Sequence, residues 1–124
     1  MQFSSGCGSI FHRLRTVTKA VGAKLVIDVT QAAGAVQISM RKWTVDLLIC
    51  SGYKWLTGHV DIAFTIFSDA LLKKRPASIG WVGGEDPFDM NTKQLLLSKT
   101  AARYTSLTLS YISALGLITP WMNY

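Results

Sequence analysis

Three polar side chains stand where apolar runs of this chain end. Asp28 closes "KLVID", Ser51 closes "LLICS", and Lys54 follows Ser51 by three residues. In open parallel sheets ligands bind beyond the carboxyl ends of the strands, so such groups converge on one crevice when their strands are neighbours. A carboxylate, a hydroxyl and a primary amine together suit an aromatic cofactor with an aldehyde, a ring nitrogen and a phosphate. The amine condenses with the aldehyde and the hydroxyl binds the phosphate. The carboxylate keeps the ring nitrogen protonated, so that the ring can accept electron density. Lysine serves in such a site because desolvation and nearby cations make its amine nucleophilic. Each residue alone has a plainer reading. Lys54 could be a strand-end lysine whose charge reaches water, Asp28 a cap on the next turn, and Ser51 a hydroxyl satisfying strand-end backbone.

The elements that must position these groups follow from apolar spacing. Residues 1–5 alternate like a strand stub. "SIFHRLRTVTKAVG" carries Ile10, Phe11, Leu14, Val17 and Val21 at helical spacing, with Gly22 as the stop. "AKLVIDV" (23–29), "DLLICS" (46–51) and "IAFTIF" (62–67) read as continuous apolar strands, the pattern of a sheet buried on both faces. A connection with room for one turn of helix separates the first two strands. "SDALLKK" (68–74) predicts a short helix capped by Ser68. The alternation gives an α/β layer architecture. Residues 76–106 form a long stretch with two of the three prolines, unusual unless functional or disordered, and its Trp81, Phe88 and Tyr104 argue against plain disorder. "SYISALGLITPW" is helical in spacing.

Composition bounds the rest. The chain has 124 residues, enough for one small domain. It is 49% hydrophobic and 16% charged, poorer in charge than an ordinary soluble domain. Either both faces of its sheet are covered, or it is part of something larger. No stretch approaches the ~20 apolar residues of a membrane span, and no secretory signal is evident at the N-terminus, so a cytoplasmic location is expected. The net charge is +6. Its densest basic group, Lys73, Lys74 and Arg75, is no stripe, and nucleic-acid binding is not indicated. Cys7 lies between two glycines and is expected to be exposed, while Cys50 lies in an apolar run and is expected to be buried. Neither spacing suggests a metal site or a disulfide.

"DVTQAAG" (28–34), "SGYKWLTG" (51–58) and Asp46 before the second strand closely resemble the class V aminotransferase family of fold-type I pyridoxal-phosphate enzymes, which includes cysteine desulfurases and isopenicillin N epimerase-like proteins. The pattern D-x-x-Q-x-x-G, a gap of 16 residues, then S-x-x-K is the specific signal, and "AARYTSLTLSYISALGL" (101–117) is similar to a further family stretch. The resemblance implies a three-layer α/β/α fold with a mostly parallel sheet. Residues 1–124 would be part of the large cofactor-binding domain, with the upstream part and the small C-terminal domain absent. It implies pyridoxal 5'-phosphate as cofactor and Lys54 as the Schiff-base lysine. Asp28 would face the ring nitrogen, Gln31 the ring hydroxyl and Ser51 the phosphate. Tyr53, where many desulfurases carry histidine, would also belong to the cofactor site. Thr108 would reach the partner's cofactor phosphate in a homodimer. The implied activity is transaminase or lyase chemistry at the α-carbon of an amino-acid substrate, and the alternative is a non-catalytic remnant that associates with itself or a partner. The family's Gly-Thr-Pro turn is here Leu107-Thr108-Leu109, so strain at a positive φ is expected at Leu107.

Overall fold

A computed structural model describes residues 7–118 apart from 90 and 92. The strand stub expected at 1–5, the Cys7 side chain and residues 119–124 lie outside the described residues.

Helix α1 (Cys7–Ala20) begins slightly earlier than its apolar spacing predicts and buries Phe11, whose ring packs on Trp43 with centroids 4.5 Å apart. Gly22 ends it with φ +69°. The Gly22 N–H donates to the Lys19 carbonyl (3.1 Å) and the Ala23 N–H to Thr18 (2.8 Å), a closure that satisfies the last carbonyls and that favours glycine. Strand β1 (Val26–Asp28) then lies parallel to β2 (Leu47–Ser51), pairing Val26 with Leu47 and Asp28 with Ile49. Between them the chain has room to cross over and forms α2 (Met40–Trp43), capped by Ser39. Strand β3 (Ala63–Phe67) reverses direction and pairs antiparallel with β2, from Leu47–Phe67 to Ser51–Ala63. The order is β1-β2-β3, a mixed sheet. The reversal has a local cause. Residues 52–62 contain no helix to carry a parallel crossover, so the chain doubles back.

Leu48 and Cys50, 1% and 0% exposed, project into a core with Ile27, Phe11, Trp43, Val45, Ala32 and Ala33. At the amino end of the sheet, Asp46 is 2% exposed. Its carboxylate accepts from Leu25 N–H (2.9 Å), Arg15 Nη1 (2.7 Å) and Lys24 Nζ (3.4 Å). Burial alone would raise its pKa, but the Leu25 N–H and the Arg15 and Lys24 charges outweigh it and hold the group below the usual carboxylate range. One carboxylate thus ties α1 to the start of both parallel strands.

The opposite side of the sheet is partly roofed by residues 101–109, leaving a groove of about 610 Å³ over Leu47, Ile49, Thr65 and Phe67. Phe67 stacks on Tyr104 with centroids 4.3 Å apart. Tyr104 Oη lies 2.7 Å from the Leu71 carbonyl and 2.9 Å from that of Lys74, at the end of helix α3 (Asp69–Leu72). Ser68 occupies the N-cap position of α3, yet its buried hydroxyl has no hydrogen-bond partner among the described residues. Residues 76–106 are organised rather than featureless. Two 3-10 turns, Trp81–Gly83 and Ala101–Tyr104, are laced by Glu85 N–H to Leu96 (2.8 Å) and Ser98 N–H to Gly83 (3.0 Å). Gly80 lies directly on the Ser106 backbone, where a side chain would not fit. The last described element is α4 (Tyr111–Ile118).

Candidate functional site

The turn after β1 is fixed by its small residues. The Val29 N–H extends the parallel ladder to the Ile49 carbonyl (2.8 Å), and the N–H groups of Ala32 and Ala33 then fold back on the Val29 carbonyl (2.8 Å each). Ala32 and Ala33 are buried, which leaves Gln31 between Thr30 and the core exposed to solvent. Asp28 Oδ1 accepts the Thr30 N–H at 2.8 Å. The Thr30 side chain first, then its N–H, favour the ionised carboxylate and hold Asp28 below its ordinary pKa against a small opposing effect of burial. Thr30 Oγ1 in turn accepts the Ser51 N–H at 2.9 Å. Asp28 and Ser51, on adjacent strand ends, are therefore joined through Thr30.

Lys54 lies on the loop that leaves β2. The Gly52 N–H donates to Ile62 (2.8 Å), the Gly58 N–H returns to the Gly52 carbonyl (2.9 Å), and the Thr57 N–H donates to Lys54 (2.9 Å). Thr57 completes the closure at φ +55°. Gly52 and Gly58 both pack under Leu117 of α4, where an added Cβ would come 3.1 Å and 2.9 Å from its methyl group. The loop is short and zipped, with Lys54 exposed and its Nζ 5.1 Å from the centroid of the half-exposed Tyr53 ring. Such a cation–π contact at an exposed position contributes about 0.5–1 kcal/mol. The loop touches the Asp28 turn through Gly34, at φ +89°, whose missing Cβ would sit 2.8 Å from the Trp55 carbonyl oxygen.

Of the residues singled out from sequence, Asp28, Ser51, Gln31 and Lys54 thus belong to two adjoining turns at the carboxyl end of β1 and β2. Thr108 is exposed on the segment that leads into α4, and no hydrogen bond joins it to that group among the described residues. The strain expected at Leu107 is absent. Among the described residues the non-glycine residues with positive φ are Thr44 and Thr57, and Leu107 is not one of them. Arg103 is spent on structure, with Nε donating to Ser98 (2.6 Å) and Nη1 to Leu72 (3.2 Å). Thr30 was not singled out from sequence. An Asx-turn pattern, Asp followed two residues later by threonine, was the available signal.

The arrangement offers an ionised carboxylate, a primary amine, and a hydroxyl and an amide without internal hydrogen bonds among the described residues. It offers no thiol nucleophile here. Cys50 is fully buried, and burial, with Asp28 as a smaller contributor, pushes its thiol pKa up. Among the described residues no cluster of His, Cys, Asp and Glu could hold a metal ion, and no helix is long and apolar enough to cross a membrane.

Comparison with known proteins bears on the chain as a whole. The family model described as aminotransferase class-V matches residues 2–119. An uncharacterized aminotransferase of Bacillus subtilis (strain 168), YcbU, is 31% identical over 101 residues, which cover 78% of this chain and 25% of that protein. Among solved structures, the apo cysteine desulfurase from Thermococcus onnurineus NA1 superposes with a TM-score of 0.71 at 26% identity, covering 86% of this chain and 26% of that one. The chain therefore spans about a quarter of the length of these relatives. Its α/β fold is that of the fold-type I enzymes, carried here as a small piece with a mixed sheet, and the chain belongs to the aminotransferase class-V family.

Proposed function

We propose that residues 1–124 form part of the large, cofactor-binding domain of a pyridoxal-phosphate-dependent enzyme of the transaminase or lyase type, acting at the α-carbon of an amino acid. The observation that carries this reading is the contact of the two motif turns at Gly34 and Trp55, which sets the Lys54 loop beside the turn that begins at Asp28. The residues fit the group. Asp28 is held ionised, as a partner of a protonated ring nitrogen must be, while the Ser51 hydroxyl and Gln31 amide are not consumed by internal hydrogen bonds among the described residues. When bound, the cofactor supplies an electron sink for a carbanion at the substrate α-carbon. In this reading Lys54 Nζ would hold the cofactor through its aldehyde and would be the group that carries a proton to or from the substrate α-carbon. Asp28 would hold the proton on the ring nitrogen. Gln31 binds the ring hydroxyl, Ser51 the phosphate, and Tyr53 borders the amine. Thr108 serves the partner's cofactor phosphate in a homodimer. The proposal includes a cytoplasmic location.

The test is covalent. Protein mixed with pyridoxal phosphate and treated with borohydride gains the cofactor's mass at Lys54, and Lys54→Ala loses that label. Labelling of Lys54 no greater than that of Lys73 or Lys99 would overturn the proposal.

A second reading, a non-catalytic remnant that associates with itself or a partner, is favoured by one observation. Much of the apolar face of α1 is uncovered, with Ile10, Leu14 and Val17 49%, 45% and 65% exposed. It predicts concentration-dependent association with no selective label at Lys54.

A further inference from the structure

We propose that Thr30 is a positioning residue that fixes the placement of Asp28 relative to Ser51. The inference deepens the proposed function and rests on it only for the identity of the ligand. Its ground is a pair of hydrogen bonds made by one residue. Strand β1 ends at Asp28 and the chain turns away at Val29, whose N–H still pairs with Ile49. The next N–H of β2 on that side, that of Ser51, is left without a β1 carbonyl, and Thr30 Oγ1 takes its place as acceptor at 2.9 Å. A hydroxyl that accepts from an N–H has its own proton free to give. Two residues back stands the Asp28 carboxylate, which already accepts the Thr30 N–H at 2.8 Å and whose ionised form the Thr30 side chain favours. One residue therefore joins the two strand ends, its hydroxyl accepting the Ser51 N–H and its own N–H donating to the Asp28 carboxylate. It indexes the acid that faces a ring nitrogen to the strand end whose hydroxyl faces a phosphate, so the two ends of one ligand are measured off a single residue.

A merely structural threonine, kept for turn propensity or for its methyl group, predicts a different pattern of substitutions. The decisive measurement needs no cofactor: the side-chain carboxyl carbon of Asp28 is titrated by NMR in the full chain. Removal of the hydroxyl in Thr30→Val or Thr30→Ala raises the Asp28 midpoint by about half a unit or more, while Thr30→Ser, which keeps the hydroxyl and loses the methyl, leaves it at the wild-type value. Should Thr30→Val not fold, as judged by alkylation of buried Cys50, Thr30→Ala supplies the comparison. An unchanged midpoint in the folded hydroxyl-less variant overturns the proposal, and so does a Thr30→Ser midpoint that rises as far as that of Thr30→Ala. With pyridoxal phosphate added, the same hydroxyl-less variant requires about tenfold more cofactor for half-maximal borohydride labelling at Lys54, corresponding to one lost charge-assisted hydrogen bond, and Thr30→Ser restores the wild-type value. Absence of any label in the wild-type chain would sink the cofactor assignment, and the Asp28 titration would still decide the role of Thr30.

Discussion

The α-carbon of Gly34 lies so close to Trp55 that a Cβ on it would come 2.8 Å from the Trp55 carbonyl oxygen and 2.9 Å from the carbonyl carbon. Both neighbours are backbone and cannot swing aside. The first motif turn therefore rests on the loop that carries Lys54, and the absence of a side chain at residue 34 is what allows the two to meet.

Gly34→Ala is accordingly expected to destabilise the chain by about 2 kcal/mol or more, from a strained positive φ together with overpacking. Gly22→Ala provides the control. Its φ is +69° but nothing lies within 4 Å of the added Cβ, so it isolates the conformational part, about 1 kcal/mol. Urea denaturation of the two variants measures the difference. Borohydride labelling of Lys54 should fall in the Gly34 variant and persist in the Gly22 variant.

Asp46 links acid sensitivity to the amino end of the sheet. Its folded pKa lies below the ordinary value of 3.8. The stabilisation it contributes is therefore fully present above that value and is lost as pH falls through the lower folded value, where the unfolded chain binds the proton more readily. Asp46→Asn should lose about 2 kcal/mol at neutral pH, the size of hydrogen bonds to a charged group, and should show a flatter decline below pH 4. Thermal melts from pH 7 to pH 2 would reveal equal slopes if the Arg15 and Lys24 contacts were immaterial.

The Cys50 thiol is expected to resist alkylation at pH 8 until the protein unfolds, because it is fully buried and its pKa is raised by burial and by the nearby Asp28 charge. Peptide mass mapping separates it from Cys7. Alkylation of Cys50 in the folded chain as fast as in urea would contradict the packing of the strand that carries it.

Tyr104→Phe removes a hydroxyl that reaches two carbonyls at the end of α3, and Arg103→Leu removes donors to Ser98 and Leu72. Each should reduce stability by about 1–2 kcal/mol while leaving cofactor labelling of Lys54 in place. Selective loss of labelling at full stability would assign Arg103 a ligand contact instead.

Reading the sequence located the elements better than their surroundings. The apolar spacing of α1 located the helix and Gly22 its end, but the same spacing cannot say whether a face is covered within this chain. Phe11 is buried and Val17 and Val21 are not. The composition of "IAFTIF" identified β3 without its direction, which is decided by residues 52–62 having no helix. The positions of Asp28 and Ser51 at strand ends, and of Lys54 in the loop after β2, were legible because strands end where apolar runs do. Thr30 was not, since its hydroxyl gains meaning only when the register of β1 against β2 presents the Ser51 N–H to it. The strain expected at Leu107 followed from a family's turn geometry, whereas the described non-glycine residues with left-handed backbone are Thr44 and Thr57.

The hydrogen bond from Gly58 back to Gly52 makes residues 52–58 a self-closed unit whose two ends enter and leave at nearly one point. Such a unit behaves as an interchangeable cassette: its interior can be rewritten, or grafted onto another strand end, without the amine drifting relative to the sheet, provided both glycines travel with it.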